Sequence, residues 1–276
     1  MKAIRKDLTR YIKAEASRLG FDACGIAPAE KVDEVSCNAL QEWLAQGEQA
    51  GMAYMANHTD KRLDPRLLME GTQSVVCVAL NYYPRVLLKK EQYQFAWYAY
   101  GKDYHTILKE KLHALLSGIR QQAPEVNGRV FCDTAPLLER YWAWQAGLGW
   151  IGKNTQLIIP KAGSTFFLGE ILLDTKLCYD TPLPNRCGNC TRCLDACPTH
   201  ALEPFERRTL SILSNHREQR RYSGKNHRKD GKLHIWLRSL PTKLSMESFR
   251  PSFPRTGTRS VRGISPYDAG RLGHSF

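Results

Sequence analysis

With 276 residues, 42% of them hydrophobic and 24% charged, the chain has the make-up of a folded protein with one large core or two ordinary ones, not of a fibre or a low-complexity chain. The formal net charge of +13 is unevenly held: residues 207–276 carry 16 Lys and Arg against 4 Asp and Glu, which leaves residues 1–206 almost balanced. The first ten residues are charged every few positions, unlike a signal peptide, and no apolar run approaches bilayer length; with thiols arranged for a metal, this predicts a cytoplasmic protein.

Ile4, Leu8, Tyr11, Ile12, Ala16 and Leu19 recur at helical spacing and predict a helix over 3–20, stopped by Gly20. Phe21 to Ala27 reads as a short strand ending at Pro28, and Asp33 to Gln46 as a second helix burying Leu40, Trp43 and Leu44. Ser74 to Leu80 is apolar on both faces, the pattern of a central strand. The ring-rich stretch from Tyr93 to His105 leads into a helix with Leu108, Leu112, Leu115, Leu116 and Ile119 inside and Asp103 as its cap. His105 alone is as readily structural as functional.

Gly128 to Arg140 predicts a strand that breaks directly into a helix. Asp133 falls at the strand's carboxyl end, where open α/β sheets place ligands, and it suits a helix cap equally well. Gly149-Trp-Ile-Gly152-Lys153-Asn154 gathers glycines, a cation and amides in one loop, a composition for an anion or a polar cofactor edge without the order of a P-loop. Leu157 to Pro160 and Thr165 to Asp174 read as a β-hairpin, and the prolines at 182 and 184 mark a linker.

Cys187, Cys190, Cys193 and Cys197, followed by Pro198, then supply the strongest chemical signal in the chain. The spacing C-x2-C-x2-C-x3-C-P is the run by which bacterial ferredoxins hold iron–sulfur clusters: three thiolates for one [4Fe–4S] cube and the fourth for a neighbouring cube. Zinc sites more often separate two cysteine pairs by a dozen or more residues. No second run occurs in the sequence. From about residue 207 the chain turns basic and aperiodic, which predicts a disordered tail; the abrupt change in composition suits a shifted reading frame.

Laid out in this way, residues 3 to 205 resemble the epoxyqueuosine reductase family, the cobalamin and iron–sulfur enzymes of queuosine tRNA modification. The resemblance rests on Lys61-Arg62 with Pro65, Tyr100-Gly-Lys-Asp-Tyr-His105, Asp133-Thr134, Glu139-Arg140, Ala146-Gly147 with Gly149, Lys153-Asn154, and the cysteine run through Pro198-Thr199 to Ala201-Leu202. It implies an α+β protein: a mixed-sheet α/β cobalamin-binding catalytic domain over residues 1–177, a partial ferredoxin-like [4Fe–4S] segment over 178–206, and a basic tail over 207–276 outside the family pattern. It also implies reduction of epoxyqueuosine to queuosine in a tRNA anticodon loop, by a monomer that takes electrons from a flavodoxin- or ferredoxin-type donor. Asp133 becomes the proton donor, with its pKa raised by burial. Arg62, Asp133, Lys153, Asn154 and Ser164 become cofactor contacts, and Cys187, Cys190, Cys193 and Cys197 the cluster ligands. Ala96 stands where some family members carry a cysteine, which argues against an obligatory thiol there. With one run of the family's two, electron transfer is expected to be impaired. Three other readings compete: a plain ferredoxin-like electron carrier, a nucleic-acid-binding protein acting through its tail, and a reductive dehalogenase-like enzyme sharing the cofactors.

Overall fold

Strand β2 (Ser74–Asn81) lies inside a four-stranded sheet of order β1-β2-β6-β3, formed with β1 (Ala23–Pro28), β3 (Gly128–Phe131) and β6 (Phe166–Leu173). In this computed structural model residues 2–49, 51–89, 95–197 and 202 are described. Expectations for the tail therefore lie outside the described residues.

Helices α1 (Lys2–Arg18) and α4 (Tyr104–Gln122) cover one face of the sheet, and α2 (Glu34–Ala45) and α5 (Glu139–Gln145) the other. The first layer closes on Ile12, Leu108, Leu112, Leu115 and Ile119, all fully buried against Ile26, Val76 and Ile171. Burying each such side chain contributes roughly 2 kcal/mol. Asp33 and Asp103 cap α2 and α4 as expected, accepting from the backbone N–H groups of Ser36 and His105.

The sheet is antiparallel at every pairing, β1 with β2, β2 with β6 and β6 with β3, and so corrects the mixed sheet that the sequence predicts. The reason is topological. Strands β2 and β3 run in the same direction and are joined through α4, as parallel neighbours would be, but β6 runs the opposite way between them. The predicted hairpin is corrected as well. Strand β5 (Leu157–Ile158) pairs with β4 (Trp150–Ile151) in a separate ribbon, while β6 joins the main sheet. Fully buried on both faces, β6 is satisfied only between two strands of a larger sheet.

Two glycines permit close approaches. A side chain at Gly25 would put its Cβ 2.0 Å from the carbonyl oxygen of Ala146, where β1 passes the end of α5. Gly147 then closes α5 at φ +74°, the left-handed position of a helix end.

The segment after β6 is strapped to this body. Asp180 accepts from the Ile26 backbone at 2.9 Å and from Lys13 Nζ at 2.6 Å, covering the open edge of β1. Trp144 Nε1 donates to the Leu183 carbonyl at 3.1 Å and Asn185 Nδ2 to that of Ile151 at 3.1 Å, which carries the chain to the cysteine run and its short helix α6 (Arg192–Asp195).

Candidate active site

Strand β3 does not run directly into a helix: α5 begins at Glu139, and residues 132–138 form a loop of tight turns above the sheet's end. Leu138, which makes no side-chain capping bond, precedes α5. The capping role open to Asp133 is thereby removed. Asp133 instead adopts φ +57°, an uncommon backbone for a residue with a side chain and one that aspartate tolerates better than most. Glu139 accepts a hydrogen bond from the Asp133 backbone N–H and so ties the loop to the first turn of α5.

The Asp133 carboxylate meets the start of α4. Tyr104 Oη donates to Asp133 Oδ2 at 2.6 Å, and His105 Nε2 lies 3.2 Å from the same oxygen. On its far side His105 Nδ1 contacts Asp103 Oδ1 at 2.7 Å, so the imidazole bridges two carboxylates. That contact and the His105 backbone N–H hold the Asp103 carboxyl below its usual range. Tyr104 is fixed by stacking on Phe167, with centroids 4.2 Å apart and planes 4° from parallel, and on His105. Asp133 is held but exposed, its side chain 34% accessible; the burial expected of it is not supplied by the protein alone.

Asp133 lines a cavity of about 330 Å3 together with Tyr54, His58, Arg62, Glu139 and Arg140. Arg62, on α3 (Thr59–Leu63), is only 7% exposed, and its Nε has no hydrogen-bond partner. Its Nη2 makes one long contact, 3.4 Å to the Tyr54 carbonyl, and burial lowers its proton affinity. A buried guanidinium with an unmade bond at a cleft wall fits an acceptor-rich ligand, such as the amide or phosphate edge of a large cofactor. The cavity is at the small end of ligand pockets, about 300–1,000 Å3, so a corrinoid would rest against it rather than be enclosed.

Lys153, Asn154 and Ser164 do not line that cavity. Asn154 is buried and its Oδ1 accepts from the Gln156 backbone at 3.2 Å, shaping the loop between β4 and β5. Arg140 Nη1 donates to the Thr155 carbonyl at 2.6 Å and so joins this loop to the cleft wall. Ser164 is half-buried beside Gly163, which takes φ +85° before β6. Lys153 Nζ donates at 2.7 Å to the carbonyl of Gly188, inside the cysteine run.

None of the nine cysteines is in a disulfide. The Cys190 backbone N–H donates to the Cys187 carbonyl across Gly188 at φ +46°, and Cys187 and Cys190 both act on the buried Cys193, whose thiol is pushed up chiefly by burial. Cys193 and Cys197 are buried together with Leu202. The donors are of the right kind for an iron–sulfur cluster, though among the described residues no three potential ligands already converge on one point. No helix among the described residues is long and apolar enough to cross a membrane.

Tyr104, His105, Glu139 and a fully buried carboxyl at Glu170 were not singled out by spacing as site residues. Glu170 was visible as the one charge in the apolar run of β6.

The comparisons with known proteins agree with this geometry. The family described as "Epoxyqueuosine reductase QueG, DUF1730" matches residues 62–134, the stretch from Arg62 to the Asp133 loop. The epoxyqueuosine reductase of Leadbetterella byssophila is 49% identical over 73% of this chain and 66% of its own length; that of Prochlorococcus marinus is 37% identical over 76% and 68%. Among solved structures, an epoxyqueuosine reductase with an epoxyqueuosine-modified tRNA-Tyr stem loop is 30% identical with a TM-score of 0.65, over 71% of this chain and 53% of that one. A Bacillus subtilis epoxyqueuosine reductase whose catalytic aspartate loop is swung out of the active site is 29% identical with a TM-score of 0.63, over the same shares. The chain thus spans about two-thirds of the curated relatives and about half of the solved chains. On the strength of these matches and of the shared core around Arg62 and Asp133, the chain belongs to the epoxyqueuosine reductase family.

Proposed function

We propose that the chain reduces epoxyqueuosine to queuosine in a tRNA anticodon loop, with cobalamin as cofactor and electrons from an iron–sulfur cluster. The observation that carries this reading is Asp133, held at φ +57° by Glu139, Tyr104 and His105 and facing a cleft shared with the buried, underbonded Arg62. The relatives supply the reaction, and the residues here suit it.

Bound cobalamin would supply a strongly reducing cobalt centre, the hard part of the chemistry. Arg62 would bind its amide or phosphate edge, helped by Lys153, Asn154 and Ser164 on the neighbouring loops, while Cys187, Cys190, Cys193 and Cys197 would hold iron–sulfur. Asp133 would donate a proton to the epoxide oxygen as its C–O bond breaks. Once substrate covers the cleft, Asp133 loses its remaining solvent, which raises its proton affinity towards that task. Tyr104 and His105 aim the carboxyl, and Lys153 holds the cysteine loop against the body.

The partners in this reading are the modified tRNA and a flavodoxin- or ferredoxin-type donor, the protein acts as a monomer, and the tRNA substrate places it in the cytoplasm. Residues 1–177 form the catalytic unit, 178–206 the iron–sulfur segment and 207–276 a basic extension. The test is anaerobic reconstitution with iron, sulfide and cobalamin, followed by metal counts and mass spectrometry of an epoxyqueuosine-bearing stem loop. Stoichiometric cobalt and loss of the epoxide oxygen are expected. Absence of cobalt would overturn the reading.

A further inference from the structure

Glu170 sits in the middle of β6, opposite Cys77 of β2 and Phe131 of β3. Side chains alternate along this strand: Phe167, Ile171 and Leu173 join the α1/α4 layer, while Leu168 and Leu172 join the α5 layer. Glu170 therefore points to the α5 side, under the helix whose first residue is Glu139. It is completely buried, and neither carboxyl oxygen has a hydrogen-bond partner. An ionised carboxylate cannot be kept in that position; burying one unpaired costs many kcal/mol, and the group takes up a proton instead.

The charges that act on Glu170 are those of Glu139 and Asp133, and with burial they push its proton affinity well above the usual carboxylate range. The other titratable groups on this side are neutral: burial pushes up the thiols of Cys77 and Cys132 and moves the Tyr141 phenol to about 12. The basic groups, His105 at Asp133 and Arg62 and Arg140 in the cleft wall, stand at the open end of the array. Three carboxyls thus lead from the cleft into the core, joined at one end by the Glu139–Asp133 bond.

Converting an epoxide to an alkene breaks both C–O bonds, forms the C=C bond and releases the oxygen as water. It consumes two electrons and two protons, and a single carboxyl carries one proton. We propose that Glu170 stores the second proton behind the cleft and passes it through Glu139 to Asp133 while the substrate covers the site; this rests on the reductase reading above. Asp133 first protonates the oxygen and becomes a carboxylate. It then takes the proton of Glu139, which Glu170 replaces, and protonates the oxygen again. The electrons come from the reductant of that reading, and solvent recharges the three carboxyls after product leaves.

The test uses the whole chain in two ways. Infrared difference spectroscopy on the unloaded protein should show a protonated-carboxyl band at neutral pH that persists in Asp133→Asn and disappears in Glu170→Gln. Single-turnover conversion of an epoxyqueuosine-bearing stem loop by the cobalamin-loaded, chemically reduced protein should fall about a hundredfold in Glu170→Gln, within the usual range for a lost proton donor, with cobalamin binding unchanged. Should the glutamine variant not fold, Glu170→Met, apolar and of similar length, carries the same comparison. An ionised Glu170, or a variant converting at the wild-type rate, overturns the proton store and leaves the reductase reading standing. Wild-type protein that shows the band but never reduces the epoxide overturns the reductase reading, and with it the role of the store.

Discussion

Replacing Glu170 by glutamine should remove a pH dependence from the stability of the fold. In the unfolded chain this glutamate titrates near pH 4.3, about the value of any exposed glutamate. In the folded protein, burial and the charges of Glu139 and Asp133 push that value well up. Below about pH 4 both states hold the proton and the residue contributes no pH dependence. As pH rises further the unfolded state ionises while the folded state does not. Stability therefore falls by about 1.4 kcal/mol per pH unit until the folded group itself titrates. Between pH 5 and pH 7 the wild type should lose about 3 kcal/mol that Glu170→Gln does not lose. A buried amide adds its own cost, but that cost is the same at every pH and cancels from the slope. Urea denaturation followed by tryptophan fluorescence at pH 5, 6 and 7 measures the difference. Wild-type and variant curves that run parallel would refute the neutral, buried carboxyl.

Three further perturbations probe the frame of the site. Tyr104→Phe keeps the ring on Phe167 but deletes the 2.6 Å bond to Asp133; epoxide reduction should fall about tenfold, as for loss of one charge-assisted hydrogen bond, while the unfolding midpoint moves little. Arg62→Met should weaken cobalamin binding by about tenfold or more in a spectroscopic titration and leave the fold intact, since it removes a buried charge that burial already disfavours. Gly25→Ala should destabilise by about 3 kcal/mol in denaturant melts, because its Cβ would sit 2.0 Å from the Ala146 carbonyl and neither backbone can retreat cheaply.

Much of the fold was legible because periodicity and burial coincide in it. The apolar stripes of α1 and α4, the caps at Asp33 and Asp103, and the two-sided burial of β2 were all written in residue spacing. Strand neighbours were not. Whether β6 hairpins with β5 or slips between β2 and β3 depends on which surface can take a strand apolar on both faces, and a local pattern does not contain that choice. The site divides in the same way. Arg62 and Asp133, far apart in sequence, do meet at one cleft, whereas Lys153 reaches the cysteine loop and Asn154 shapes its own turn. The spacing of Tyr104 and His105 said nothing of Asp133, because a helix start and a loop after a strand converge only through the sheet. Glu170 was the reverse case: a single charge in an apolar strand, readable in the sequence, whose consequence needed the packing around it.

The most direct test compares wild type with Asp133→Asn, a substitution that keeps the size of the side chain and suits the left-handed backbone at φ +57°. Both proteins would be loaded with cobalamin, reduced chemically so that the cluster is bypassed, and given one equivalent of an epoxyqueuosine-bearing stem loop. Wild type should form queuosine in a single turnover, and Asp133→Asn should bind cobalamin equally well yet react at least about a hundredfold more slowly. Equal rates in the two proteins would contradict the assignment of Asp133 as the proton donor at this cleft.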